Sequence, residues 1–428
     1  MPKDLRVADL FCGAGGLSEG FRQAGFRILA GNDLDPDACA TFRLNFPDAL
    51  AISGDIRSSR VRRQVFEAAG GAEVIVGGPP CQAFSQMRNH SRLIDDPRNT
   101  LYREFVSVVA KLEPLAFLME NVPGLDRMGV KDQVLEDLCL GGAYRVRAQV
   151  VDAADFGVPQ TRRRILFIGF HSSLGTDPPL LAGSGATAVL SLKRGIRGAL
   201  PRYGVAGHRG HLERLCDPHD AIFVTAAQAI GDLESLKAGA RSDILETKIL
   251  KPPISEYQRR MRIGLDGFIA NVSVPRINTD TRLRLSGLPA GGNYRDLPEA
   301  MRRRYLSGEL WGPHNGSGRL GRRHYYAYRR LHAGFWSWTL NTKADSVYHY
   351  RQRRALSVRE FARLQSFPDR FVFVTDARPG PLPGRIEGGA AHSRYRQVGN
   401  AVPPLLARAV AEALSQALAV NRRSLASA

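Results

Sequence analysis

Gly78-Pro79-Pro80-Cys81-Gln82 follows directly on the apolar run Val74-Ile75-Val76, and this junction decides the fold. A short, continuous apolar run bounded by glycine and proline reads as a buried strand. Cys81 then sits just past the carboxyl end of that strand, at the edge of an open α/β sheet where ligands and chemistry gather. A lone cysteine is equally at home as a small buried filler. The rest of the chain must decide between the two.

Working outward, short apolar runs alternate with helix-like stretches through the first 170 residues, the pattern of βαβ units. The strands expected there are Val7–Phe11, Ile28–Gly31, Val74–Val76, Phe117–Met119 and Ile165–Phe170. From about His171 the periodicity fades into glycine, proline, arginine and short aromatic clusters. Order returns at a helix-like run, Ser357–Gln365, and a closing helix is expected over roughly 403–418. The 428 residues thus read as an α/β body, a long irregular insertion and a return to the body, with enough apolar content (43%) for a sizeable core.

The net charge of +19 is unevenly placed. Residues 1–150 hold 18 Lys and Arg against 19 Asp and Glu, and the remainder holds 42 against 22. An excess confined to one part of the chain points to a module that faces a polyanion. Arg greatly outnumbers Lys, which suits bidentate contacts to phosphate and guanine. Between Arg302 and Arg330, eight arginines meet a single acid, Glu309, and are interleaved with Tyr305, Trp311, Tyr325, Tyr326 and Tyr328. No stretch approaches a membrane-spanning run, and no signal-peptide core is visible at the start. The five cysteines (12, 39, 81, 139 and 216) form no CxxC pair. No disulfide framework or metal site is therefore expected, and a cytoplasmic, nucleoid-associated location fits.

Asp9-Leu10-Phe11-Cys12-Gly13-Ala14-Gly15-Gly16 reads as a strand running into a glycine-rich turn and a helix, where backbone can approach a ligand closely. The spacing is not GxGxxG, which counts against a nicotinamide dinucleotide. Asp33 follows the next strand, placed to accept from ribose hydroxyls, and Asp55 in Gly54-Asp55-Ile56 is placed to receive an exocyclic amine. Each acid alone is an ordinary loop residue; the ordered set suits a nucleoside without a pyrophosphate, and S-adenosylmethionine is the usual such cofactor. At the reacting end stand Glu120 in Phe117-Leu118-Met119-Glu120-Asn121-Val122, and Gln160-Thr161-Arg162-Arg163-Arg164 leading into Ile165–Phe170. Strand periodicity puts Gln160, Arg162 and Arg164 on one face. Gly399-Asn400-Ala401-Val402-Pro403-Pro404 closes the body.

Together and in order, these segments resemble the cytosine-5 DNA methyltransferase family of bacterial restriction-modification systems. The resemblance rests on the glycine-rich turn, Pro-Cys-Gln, Glu-Asn-Val, Gln-x-Arg-x-Arg, the run Arg354–Asp369 and Gly-Asn-Ala-Val-Pro-Pro, and covers roughly 1–170 and 339–420. It implies a Rossmann-like S-adenosylmethionine-dependent body over 1–170 and 339–420, and an inserted, mostly irregular or β target-recognition domain over 171–338. Residues 421–428 are left as a tail. Thr339-Leu340 looks like the Thr-Leu pair near the end of such domains. By position the resemblance makes Cys81 the nucleophile and Glu120 the group that meets nitrogen 3 of cytosine, with Arg162 and Arg164 lining the same pocket. Phe11, Gly13, Gly15, Asp33, Leu34, Asp55, Ile56, Pro80, Leu101, Asn400 and Val402 match cofactor contacts. Leu34 departs from the family, where many members carry an aromatic beside the adenine, and His349-Tyr350 stands where His-Pro is common.

The chemistry asks for these residue types. Carbon 5 of cytosine becomes nucleophilic only after a thiolate adds to carbon 6 and a proton is supplied at nitrogen 3. A nearby Arg162 or Arg164, or a helix N-terminus, is expected to favour the thiolate. Glu120 must hold or share a proton, which calls for a desolvated setting, opposed by any close arginine. The base must leave the duplex to be reached, and the loop 82–99 would close over it. Double-stranded DNA is the expected partner and a monomer the expected state. A cognate restriction endonuclease acting on the same site, without a stable complex, is compatible. A tRNA cytosine-5 methyltransferase shares the body but tends to have a much reduced recognition region, and an inactive DNA-binding relative is opposed by intact Cys81, Glu120, Arg162 and Arg164.

Overall fold

The computed structural model describes residues 5–80, 101–127, 130–188, 223–239, 242–293, 296–301, 329–376 and 389–426. Seven strands share one sheet: β1 (Arg6–Leu10), β2 (Arg27–Asp33), β3 (Leu50–Ser53), β4 (Val74–Gly77), β5 (Ala116–Asn121), β6 (Tyr144–Asp152) and β7 (Arg163–His171). Their order is β3-β2-β1-β4-β5-β7-β6. β1 to β5 are mutually parallel, whereas β7 pairs antiparallel with both β5 and β6. The order reverses between β1 and β4, and the crevice outside the carboxyl ends of strands at such a point is where α/β sheets bind ligands.

Period-two alternation explains why the sheet is buried on both faces. Val7, Val74, Val76, Leu118, Leu166 and Ile168 enter one hydrophobic cluster, while Ala8, Leu10, Ile75, Phe117, Met119, Ile165 and Phe167 enter the other. On the first face the helix Gly16–Gln23 packs against the closing helix Pro404–Ala426. A Cβ on Gly16 would run into the Val402 carbonyl, so only glycine allows this approach. The closing helix thus begins one residue later than expected and extends eight residues further.

β3 and β6 were not among the expected strands. Both lie at the edges of the sheet formed by the described residues. β6 carries Arg145 and Arg147 on its exposed positions and the polar Gln149 beyond them, so it shows no continuous apolar run. Described parts of the region 171–338 share the body's core. Ile230, Tyr257, Phe335 and Trp336 belong to the first cluster, and the Phe223 and Trp336 rings meet edge-on at 4.6 Å. This region holds short helices (Ala226–Ile230, Glu256–Met261, Thr279–Gly287) and a two-stranded ladder, Ile244–Glu246 with Phe268–Ala270. Among the described residues no helix is long and apolar enough to cross a membrane.

Candidate active site

β4 and β5 end side by side, and their ends are tied together. Asn121 donates through Nδ2 to the Pro79 carbonyl at 3.1 Å. Gly78 lies so close to Glu120 that a Cβ there would stand 3.1 Å from Oε2. The backbone leading to Cys81 is therefore pressed against the Glu120 carboxylate. Pro80 is exposed; Cys81 and the loop 82–99 lie outside the described residues.

The antiparallel direction of β7 matters here. Gln-x-Arg-x-Arg leads into the start of this strand, so only a reversed strand delivers it to the edge where β4 and β5 end. The register pairs Glu120 with Leu166, which leaves Arg164 diagonally across on the same face. Arg164 Nε meets Glu120 Oε1 at 2.5 Å, with both side chains largely buried. Glu120, 8% exposed, is thus buried against the Arg164 guanidinium. Arg162 behaves differently. Its buried guanidinium donates to the carbonyls of Gly399 (2.7 Å) and Leu340 (3.3 Å). Burial, with Arg164 nearby, pushes the Arg162 pKa down, while Glu120 pulls it back. It stands beside the pair but spends its hydrogen bonds on two loops.

At the ends of β1 and β2, Phe11 and Gly15 adopt left-handed backbone (φ 57° and 97°), turning the chain sharply into the helix Gly16–Gln23. Gly13 faces open space, since a Cβ built on it meets nothing within 4 Å. Asp33 crosses the mouth of this turn: Oδ2 accepts from the Gly13 amide and Oδ1 from that of Asp35, each at 2.8 Å. Burial raises its pKa against those two bonds. Each oxygen keeps a lone pair for a hydroxyl. Asn32 Nδ2 donates to the carbonyls of Ile52 (3.0 Å) and Gly54 (3.2 Å), which fixes the segment carrying Asp55 beside it. Leu34 is 58% exposed, an apolar surface left uncovered next to Asp33. An open glycine turn, a carboxylate with spare acceptors and an exposed apolar side chain fit a nucleoside.

Of the other expected contacts, Ile56 is buried and Leu101 opens the helix Leu101–Leu112, half-buried. Asn400 is exposed and Val402 lies under Gly16. Asp55 is paired with Arg57 (Nη2 to Oδ2, 2.6 Å), which with other Arg57 bonds lowers its pKa against modest burial. An exocyclic amine must share that carboxylate with the ion pair. Sequence reasoning assigned no role to Asn121 or Asp9. Asp9 is buried on β1, its Oδ2 accepting from the Ser18 hydroxyl (2.7 Å) and amide (3.2 Å). Burial pushes its pKa up to about 7. The signal was available: an acid inside an apolar strand, seven positions before a helix.

The sequence profile of C-5 cytosine-specific DNA methylases matches residues 5–416. The chain is 33% identical over 417 residues to the type II methyltransferase M1.HphI of Haemophilus parahaemolyticus, covering 96% of this chain and 86% of that one. It is 32% identical over 464 residues to the type II methyltransferase M.AgeI of Thalassovita gelatinovora, covering 97% and 100%. Among solved structures it is similar to one described as a DNA modification methyltransferase encoded within an E. coli prophage. There the TM-score is 0.66 at 24% identity over 97% of this chain and 99% of that one, a likeness of fold.

Proposed function

Because the chain belongs to the C-5 cytosine-specific DNA methylase family, we propose that it moves a methyl group from S-adenosylmethionine to carbon 5 of a flipped cytosine in a specific duplex sequence, using Cys81 as nucleophile. The enzyme class itself, a DNA (cytosine-5-)-methyltransferase of the type II restriction-modification kind, follows from family and relatives.

The observation that carries the reading is the meeting of Gly78, Glu120 and Arg164 where β4 and β5 end. Cys81 follows this meeting point by three residues. Cys12 and Cys39, by contrast, are buried away from solvent, and burial raises both thiols, Cys39 to about 12, which suits structural cysteines. The Cys81 thiolate adds to carbon 6 while Glu120 meets nitrogen 3, so the carbon 5–carbon 6 electrons are freed for carbon 5 to attack a methyl group. S-adenosylmethionine, when bound, supplies that sulfonium methyl. A base then removes the proton on carbon 5, and the carbon 6–sulfur bond breaks to return the thiolate. Arg164 orients Glu120 and supplies positive charge at the edge that leads to Cys81. Asp33, Gly13, Leu34 and Asn400 line the cofactor's side of the sheet edge. We assign sequence recognition to residues 171–338, where the basic excess lies.

Duplex DNA carrying 5-fluorocytosine at the target tests this, since fluorine cannot leave as the proton does. The full chain forms an adduct that survives denaturation. Cys81→Ser should fold, bind cofactor and trap nothing; a Cys81→Ser protein that still traps DNA removes the assignment.

A further inference from the structure

We propose that Gln160 and Gln365 form a one-way amide relay that positions the Ala401 turn, and so act as positioning residues for the cofactor in the methyl-transfer reaction. The proposal rests on the reading that the turn carrying Asn400 and Val402 borders the cofactor.

Gln160 precedes β7, and Gln365 ends the helix Val358–Leu364; both are fully buried. Four groups join in a single line. The Leu340 amide donates to Gln160 Oε1 at 2.8 Å. Gln160 Nε2 donates to Gln365 Oε1 and, at 3.2 Å, to the Leu364 carbonyl. Gln365 Nε2 donates to the Ala401 carbonyl at 2.5 Å. The backbone groups at the two ends settle both amide orientations. Leu340 offers only a donor there, so Gln160 must present oxygen to it and nitrogen onward. Ala401 offers only an acceptor, so Gln365 must present nitrogen to it and oxygen back. Both ends therefore demand the same sense, and only a side chain with one donor and one acceptor end can serve at either place.

The turn receiving this relay has little freedom left. Arg162 holds the Gly399 carbonyl and, through the other arm, the carbonyl of the same Leu340 that starts the relay. Ser366, next to Gln365, accepts the Leu405 amide at 3.1 Å. On its far side the Val402 carbonyl rests against Gly16 with no room for a methyl group. A displacement of Ala401 is thus passed directly to the glycine-rich turn, where Asp33 and Gly13 meet. Because Leu340 adjoins the end of the expected recognition region, the relay also joins that region to the cofactor's edge.

Gln365→Glu keeps the shape but turns an oxygen toward the Ala401 carbonyl; Gln160→Glu does the same toward Gln365 and Leu364. Gln365→Met removes the polar ends and keeps the volume. Each is measured in the full chain by calorimetry with S-adenosylhomocysteine, by KM for S-adenosylmethionine and for DNA, and by thermal unfolding, beside Asp33→Ala. For the folded variants we expect Kd and KM for the cofactor side to rise about tenfold or more. kcat at saturating cofactor and KM for DNA should stay within about threefold. If Asp33→Ala leaves cofactor affinity unchanged, the cofactor reading is the one that fails. If Asp33→Ala weakens binding while a folded Gln365→Glu, Gln365→Met or Gln160→Glu binds as the parent does, the relay is overturned. A fall of kcat and a rise of both KM values, in step with a falling melting temperature, likewise overturns it, leaving the pair a plain structural contact. Should Gln365→Glu not fold, Gln365→Met and Gln160→Glu decide by the same criteria.

Discussion

Arg164–Glu120 and Arg354–Glu360 are the same chemical pair in two settings. Glu360 is saturated: Arg354 grips it with two bonds of 2.8 Å, and the Ser357 amide (2.8 Å) and hydroxyl (3.1 Å) fill the remainder. Burial pushes its pKa up, yet the Arg354 guanidinium and its other partners hold it below the ordinary value. Arg363 nearby is saturated too, with all five of its N–H groups placed: on Asp369, on Asp232 and on the Ala229 carbonyl. Among the described residues, Glu120 instead meets Arg164 through one 2.5 Å contact at the sheet edge. A carboxylate with acceptor capacity left over among the described residues can take a substrate; one with none can only hold parts of the fold together. Saturation, not the presence of an arginine, separates chemistry from scaffold here.

The largest effect expected from this contrast is on catalysis at the unsaturated pair. Glu120→Gln should lower kcat by about 10²–10⁴, the usual worth of a positioned acid or base. Its unfolding free energy should change little, because Arg164 keeps an acceptor. Single-turnover methylation of cognate duplex, alongside urea unfolding, reads both quantities. A Glu120→Gln enzyme with near-normal turnover would place the acid elsewhere.

The saturated cluster should show the reverse. Arg363→Met takes its close partner from buried Asp369, leaving Arg359 at 3.9 Å, and leaves Asp232 to Arg262; removing one partner of such a buried network costs about 3–5 kcal/mol. Since Asp232 lies in the expected recognition region and Asp369 in the returning segment, the two should lose their mutual packing together. Equilibrium denaturation of Arg363→Met with an unchanged midpoint would mean that this cluster carries no load in the fold.

How much of this was legible follows the same line. The central strands, the glycine turn and the sheet-edge acids announced themselves, because strands buried on both faces must be apolar and because an acid ending such a run is conspicuous. β3 and β6 were silent: β3 is an edge strand of four residues with Leu50 and Ser53 exposed, and β6 an edge strand with Arg145 and Arg147 exposed. The reversal of β7 was silent as well, since strand direction is fixed by pairing partners far away in sequence. Arg162 and Arg164 look alike in Gln-x-Arg-x-Arg. Their different uses, two carbonyls for one and a carboxylate for the other, depend on Leu340 and Gly399, 178 and 237 residues further on.

A smaller effect is expected on the pH dependence of stability. His349 is buried against Glu360, and its Nδ1 accepts from the amides of Arg351 and Gln352, each at 3.1 Å. Burial lowers its pKa to about 4 from an ordinary 6.5, with Glu360 and Glu234 opposing and Arg354 and Arg330 reinforcing. The folded state therefore excludes the proton. Its contribution is complete above pH 6.5 and is lost as the pH falls from there toward 4, by roughly 3 kcal/mol at most. His349→Asn keeps an acceptor without titrating, so its stability should fall less steeply across that window. Parallel slopes in pH-stepped urea titrations would exclude His349 as the titrating group.

The smallest effect sharpens the comparison most. Ser357 caps the helix Val358–Leu364: its hydroxyl accepts from the Glu360 amide while Glu360 reaches back to the Ser357 amide. It is at once a helix cap and a member of the saturated set around Glu360. If capping is its main role, Ser357→Ala should cost about 1 kcal/mol, the ordinary worth of an N-cap hydroxyl. Arg354 and the Ser357 backbone would still satisfy Glu360, so the ionic pair should survive intact. Chemical denaturation of Ser357→Ala, Arg354→Met and the double variant tests this, with additive losses expected for independent contributions. A Ser357→Ala loss as large as that of Arg354→Met, with the double variant no worse than either, would mean that the hydroxyl is part of the ionic unit. The saturated pair would then owe its stability to the cap as much as to its charges.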